Sequence, residues 1–132
     1  MLQAYSENIS VATNENIKFN AVSLQTGCTA TIAGGSNIIN LNRPGIYHIE
    51  FFASGTTTDA GTIGAQLQSN GTNVTRAAAA ATTTAGGTQN ITFSTLISVR
   101  NCPCNGRELL NIVYTGSAGT LTIANVIVTK IR

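Results

Sequence analysis

At 132 residues and 13.6 kDa, the chain has room for one domain built on one core. Charged residues make up only 9% of it, the formal net charge is +2, and the basic residues stand singly, so no cationic stripe follows a phosphate backbone and nucleic acid is excluded as a partner. The deficit of charge is filled by 20 Thr, 14 Asn, 13 Gly and 16 Ala, a supply of β-branched and turn-forming residues that argues against a helical bundle, while 14 Ile can build a core that a disordered chain lacks.

Turn signals recur along the whole chain: Thr13-Asn14-Glu15-Asn16, Gly34-Gly35-Ser36-Asn37, Arg43-Pro44-Gly45, Asn70-Gly71, Gly86-Gly87, Asn105-Gly106 and Gly116-Ser117-Ala118-Gly119. Short segments, alternating or wholly apolar, lie between them, and that spacing predicts an all-β sandwich or barrel. Residues 1–16 read as an amino-terminal arm and residues 17–132 as the folded domain. The first predicted strand is Ile17 to Leu24. In the next, Ile46 to Ala53, alternation puts Tyr47, Ile49, Phe51 and Ala53 on a core face and Ile46, His48, Glu50 and Phe52 on the other. That second face mixes apolar groups with a histidine and a carboxylate, as a solvated face or a subunit contact would.

Thr62 to Gln68 follows, with Asn70-Gly71 turning it into Asn73 to Arg76. Arg76 to Thr88 is Ala-rich and then Thr-rich, and reads as a strand followed by a loose loop. Gln89 to Val99 and Leu109 to Tyr114 are further strands. In the last, Thr120 to Ile131, Leu121, Ile123 and Ile127 fall on one face and Ala124, Val126 and Val128 on the other. A strand apolar on both faces in so small a domain has more surface to hide than one sandwich covers, which points to an oligomer.

The longest apolar run, Ala77 to Ala81, is far short of the ~20 residues that cross a bilayer, and no basic and apolar leader follows Met1, so no membrane partner and a complete, unanchored product are expected. Cys28, Cys102 and Cys104 form an odd set with one Cys-Pro-Cys triplet. A bridge between Cys102 and Cys104 would close a strained ring, and a zinc site lacks ligands beyond His48, so the thiols read as small hydrophobes and no metal is expected. The acidic residues Glu7, Glu15, Glu50, Asp59 and Glu108 are scattered, and no thiol or hydroxyl is spaced with a base as a nucleophile requires; no enzyme activity and no cofactor are expected. Gly55, Gly61 and Gly64 lack the Lys-Ser or Lys-Thr that would make them a phosphate loop. The sequons at Asn8, Asn70, Asn73 and Asn90 are what a chain this rich in Asn and Thr yields by chance.

Several segments together resemble a family. Ile17-Lys18-Phe19-Asn20, Leu41-Asn42-Arg43-Pro44-Gly45-Ile46-Tyr47-His48-Ile49, Gln68-Ser69-Asn70-Gly71-Thr72, Phe93-Ser94-Thr95-Leu96-Ile97, Asn105-Gly106-Arg107-Glu108-Leu109 and Asn125-Val126-Ile127-Val128-Thr129-Lys130 are similar, in this order, to the trimeric jelly rolls of the tumour necrosis factor and complement globular-head superfamily, in particular its bacterial and phage branch with the exosporium collagen-like glycoprotein heads. The Pro-Gly-Ile-Tyr element is the most specific piece. The low aromatic content, the absence of Trp and the lone Asp59 depart from the family and put its calcium site in doubt.

The resemblance implies an all-β jelly-roll sandwich of about 8–10 antiparallel strands that assembles as a homotrimer. It further implies that His48, Glu50 and Phe52, with Ile46, face the threefold axis, the Ala124, Val126 and Val128 face beside them, and that histidine and carboxylate pair between subunits because burying either alone is costly. With no stalk, stem or Gly-X-Y repeat in the chain, the first functional expectation is a structural virion surface protein, a phage capsid decoration or head-fibre protein. It would be made in the host cytoplasm and dock on the major capsid protein or a fibre or stalk protein through Leu2, Gln3, Tyr5, Ile9 and Val11 of the arm. The second is a receptor- or glycan-binding head on a spore or cell surface or a tail fibre, touching its ligand through Thr56 to Ala60 and Thr82 to Thr88, where no aromatic platform for sugar is visible. A secreted cytokine-like trimer is disfavoured by the missing leader.

Overall fold

The computed structural model of the protein describes residues 1–27, 29–32, 37–99 and 108–132. Cys28, Cys102 and Cys104, and the turns at 34–36 and 105–106, lie outside the described residues. The strands are β1 (Leu2–Val11), β2 (Glu15–Asn16), β3 (Ala21–Gln25), β4 (Ala30–Ile32), β5 (Ile39–Leu41), β6 (Gly45–Thr57), β7 (Gly61–Ser69), β8 (Thr72–Thr83), β9 (Thr88–Val99), β10 (Glu108–Tyr114) and β11 (Gly119–Lys130). Among the described residues there is no helix.

Two antiparallel sheets face each other. One has five strands in the order β3-β1-β11-β6-β9, the other six in the order β4-β5-β10-β7-β8, with the two-residue β2 added beside β10. Alternation explains the core: Tyr47, Ile49, Phe51 and Ala53 of β6, Ile63, Ala65 and Leu67 of β7, and Leu110, Ile112 and Tyr114 of β10 all turn inward and are buried. Phe51 stacks on Phe93 across the β6–β9 pair with ring centroids 5.3 Å apart. Asn70 and Gly71 both take positive φ, 51° and 83°, as the tight two-residue hairpin between β7 and β8 demands.

The expected division into an arm, 1–16, and a domain, 17–132, is corrected: residues 2–11 are β1, paired with β11 on one side and β3 on the other. Leu2 and Ala4 are fully buried and Val11 nearly so. Two features hide this strand in the sequence. Its third inward residue is Ser6, a polar group made acceptable inside by accepting from the Asn20 N–H at 2.8 Å and donating to the Lys18 carbonyl. Asn8, at φ 52°, then shifts the phase, so that Val11 rather than Ser10 turns inward.

The Ala- and Thr-rich stretch is strand as far as Thr83. Its register against β7 slips between Gln66 and Gln68, where Arg76 adopts φ 67°. The Gln66 side-chain amide closes that bulge, donating to the carbonyls of Leu67 at 2.8 Å and Val74 at 2.9 Å. The loop that follows is tied down: the buried hydroxyls of Thr57 and Thr83 are 2.6 Å apart, and the Gly86 N–H donates to the Thr57 carbonyl at 2.9 Å.

Candidate functional site

The outward face of the five-stranded sheet is built on β6. From Gly45 to Thr57 the strand alternates without a break, leaving His48 and Ile46 half-buried and Glu50 and Phe52 exposed. His48 Nδ1 lies 3.6 Å from Glu50 Oε1, the separation that two residues on one face of a strand allow. The histidine–carboxylate pair expected between subunits is thus already made within one chain. On β9, Thr92, Ser94, Leu96 and Ser98 continue the face, and Leu96, opposite His48, is its most exposed apolar group at 60%. A shallow cavity of about 250 Å³ lies where Glu50 and Phe52 meet Thr92, Ser94, Asn125 and Ile127.

Strand β11 requires a correction. Ala124, Val126 and Val128 are opposite Ala53, Phe51 and Ile49, and residues directly opposite in an antiparallel pair share a face. All three are therefore in the core, with no exposure at all, and cannot line a contact between subunits. Their places on the outward face are taken by Ile123, Asn125, Ile127 and Thr129, all half-buried. Leu121, expected on the same side as Ile123, is buried because two residues of β11 pass against one of β6 between Leu121 and Ile123. This bulge reverses the alternation.

The residues expected to dock as a free arm are likewise held in the sheet. Leu2 and Val11 belong to the core, and Gln3, Tyr5 and Ile9 are half-buried. Gln3 and Tyr5 extend the outward face opposite Ile127 and Asn125, with Leu24 of β3, 40% exposed, beyond Gln3.

No family model matches the chain, and no curated protein matches it. Among solved structures it is similar to the globular domain of the zebrafish complement 1qA protein, with a TM-score of 0.69 and 10% identity over 96% of this chain and 94% of that one. It is similar to the Eiger TNF of S. frugiperda, with a TM-score of 0.71 and 10% identity over 98% and 92% of the two chains. It is also similar to the PRD1 vertex protein P5, with a TM-score of 0.67 and 17% identity over 99% and 96%. The fold is the jelly roll of tumour necrosis factor and complement globular heads.

Within this jelly roll, the contact surface imagined at Thr56 to Ala60 and Thr82 to Thr88 gathers at one end of the sandwich, although Thr57 and Thr83 are turned into it. Among the described residues no three of His, Cys, Asp and Glu come together, and no helix is long and apolar enough to cross a membrane. Leu96 escaped the sequence reading, yet it had a signal. In Gln89 to Val99 it is the one apolar residue in the polar phase of Thr92, Ser94 and Ser98.

Proposed function

We propose that the chain is the protomer of a homotrimeric virion surface protein, a phage capsid decoration or head-fibre protein made in the host cytoplasm. It docks on the major capsid protein or on a fibre protein. The observation that carries this reading is the outward face of the five-stranded sheet, where Leu96 is 60% exposed and Phe52 and Leu24 are each 40% exposed, with Ile46, Ile123 and Ile127 half-buried among them. A patch of that kind on a folded domain is what an interface leaves when its partners are removed.

Three copies about one axis would cover the patch, with Ile46, His48, Glu50 and Phe52 from β6 and Ile123, Asn125, Ile127 and Thr129 from β11. Each carboxylate then enters the contact already facing an imidazole, which lowers the cost of taking both from water. Jelly-roll heads of the superfamily that the sequence resembles support the trimer, and the likeness to a vertex protein supports a place on a capsid.

Size-exclusion chromatography with light scattering tests the assembly. The expected mass is three times 13.6 kDa, and Phe52→Asp is expected to reduce it to one; a wild-type monomer at micromolar concentration overturns the trimer. Co-sedimentation of the wild-type protein with intact capsids tests the virion role, which fails if the protein stays in the supernatant.

A further inference from the structure

Two features with no part in that assembly meet at Asn16. The first is a row of side-chain amides across the outer face of the six-stranded sheet. Asn111 of β10 donates from Nδ2 to Asn16 Oδ1 of β2 at 3.0 Å and to Gln68 Oε1 of β7 at 3.2 Å. Gln68 donates from Nε2 to Asn73 Oδ1 of β8 at 2.9 Å. With strands about 4.8 Å apart, the row runs for about 14 Å. The second feature is a groove of about 260 Å³ between the end of β1 and residues 15–20, with Ile9 and Val11 in its wall and Glu15, Asn16, Lys18 and Asn20 around it.

The bonds within the row determine what it has left to offer. A primary amide carries two N–H donors and an oxygen with two lone pairs. Asn111 spends both donors on its neighbours and keeps its oxygen; Gln68 keeps one donor, Asn16 and Asn73 keep two each, and the oxygens of these three, accepting one bond apiece, each keep a second lone pair. The row therefore offers an acceptor at Asn111 and both donors and acceptors at Asn16, Gln68 and Asn73, and mutual bonding holds these groups in place, so little side-chain freedom remains to be lost on binding. An anion finds nothing in the Asn111 oxygen and a cation nothing in the amide N–H groups. A hydroxyl donates and accepts at once, so a chain of hydroxyls suits the whole sequence. In the groove, the Ile9 and Val11 wall suits the C–H face of a sugar ring, while Glu15 accepts and Lys18 donates at its edge.

We infer that the groove and the amide row form one binding site for a neutral oligosaccharide, with one ring seated beyond Asn16 and the following rings laid along Asn111, Gln68 and Asn73. The row is on the sheet that the proposed trimer leaves uncovered, so the site stands or falls independently of that assembly.

The test titrates the 15N-labelled full chain with maltohexaose, cellohexaose, mannohexaose and chitohexaose, with heparin as an anionic control, and follows the side-chain amide signals. The expected result is a saturable shift of the Asn16, Asn111, Gln68 and Asn73 signals with at least one neutral hexasaccharide. Affinity is expected to fall roughly tenfold or more in Asn111→Ala and in the size-conserving Gln68→Glu, while Asp59→Asn, in the loop after β6, binds as the parent does. If Asn111→Ala proves unstable, Gln68→Glu with an unchanged melting temperature decides the matter. No saturable shift with any of the four sugars, undiminished affinity in Gln68→Glu, or saturable binding to heparin alone would each overturn the inference.

Discussion

Gly45 opens β6 at φ 149°, a backbone conformation that side chains other than hydrogen strain to adopt. A Cβ there would also press on the Arg132 carbonyl oxygen and stand 2.7 Å from Lys130 Cε. The Pro-Gly-Ile-Tyr element thus owes its glycine to the return of the chain's carboxyl end along the same strand. Gly45→Ala is expected to cost about 1–3 kcal/mol, read as a drop in the urea midpoint with no change in slope. Two residues on, the Tyr47 hydroxyl donates to the Arg43 carbonyl at 2.6 Å. Burial raises its pKa above the ordinary 10.0, opposed in part by the Arg43 charge; Tyr114 is raised by burial alone. The folded chain keeps these protons to higher pH than the unfolded chain does. Once pH passes about 10 the unfolded state holds fewer protons than the native one, so stability falls with further rise and is unaffected below that range. Melting curves from pH 8 to 12 should show this decline, and Tyr47→Phe should make it shallower.

At the scale of the element, the phase of β11 is the feature on which the outward face depends. Val126 and Ile127 are adjacent, similar in character, and opposite in fate: Val126 is fully buried against the β6 core row, and Ile127 lies half-buried on the outside opposite Glu50. Val126→Asp would place an unpaired carboxylate in the core and should unfold the subunit, a loss above about 4 kcal/mol. Ile127→Asp should leave a folded chain with a native circular dichroism spectrum and a weakened self-association. Equal effects of the two changes would show that the register of β11 against β6 is wrong. Strand β1 teaches the same lesson from the other end of the chain, since one buried serine and one αL asparagine are enough to make a central strand look like a tail.

At the scale of the whole molecule, the two outer faces of the sandwich have opposite characters. The five-stranded sheet shows leucine, isoleucine and phenylalanine around one histidine–glutamate pair, whereas the six-stranded sheet shows amides bonded to one another, with Leu109, 39% exposed, beside them. The first face gains from being covered; the second already satisfies many of its own polar groups in water. In the proposed trimer this division would orient the molecule, with the five-stranded sheet toward sister copies and the six-stranded sheet toward the surroundings. Limited dilution should therefore expose hydrophobic surface: binding of an apolar dye such as ANS should rise as the wild-type assembly is diluted toward monomers, and should be high at all concentrations in Phe52→Asp.

The amino-acid sequence alone determined the fold class, the two faces of β6 and the hairpin at Asn70-Gly71, because alternation and turn chemistry are local and each residue carries its own share of the signal. Only the tertiary structure decided which face of β11 is inside, because that depends on register against β6 and on a bulge that no periodic pattern announces. The place of β1 was decided in the same way, since a buried Ser6 is acceptable only where Asn20 and the Lys18 carbonyl come to meet it. The amide row is non-local but for the Gln68–Asn73 pair across the β7–β8 hairpin: Asn16 and Asn111 are far from it and from each other in the chain, and only the pairing of β2, β10 and β7 brings them into line.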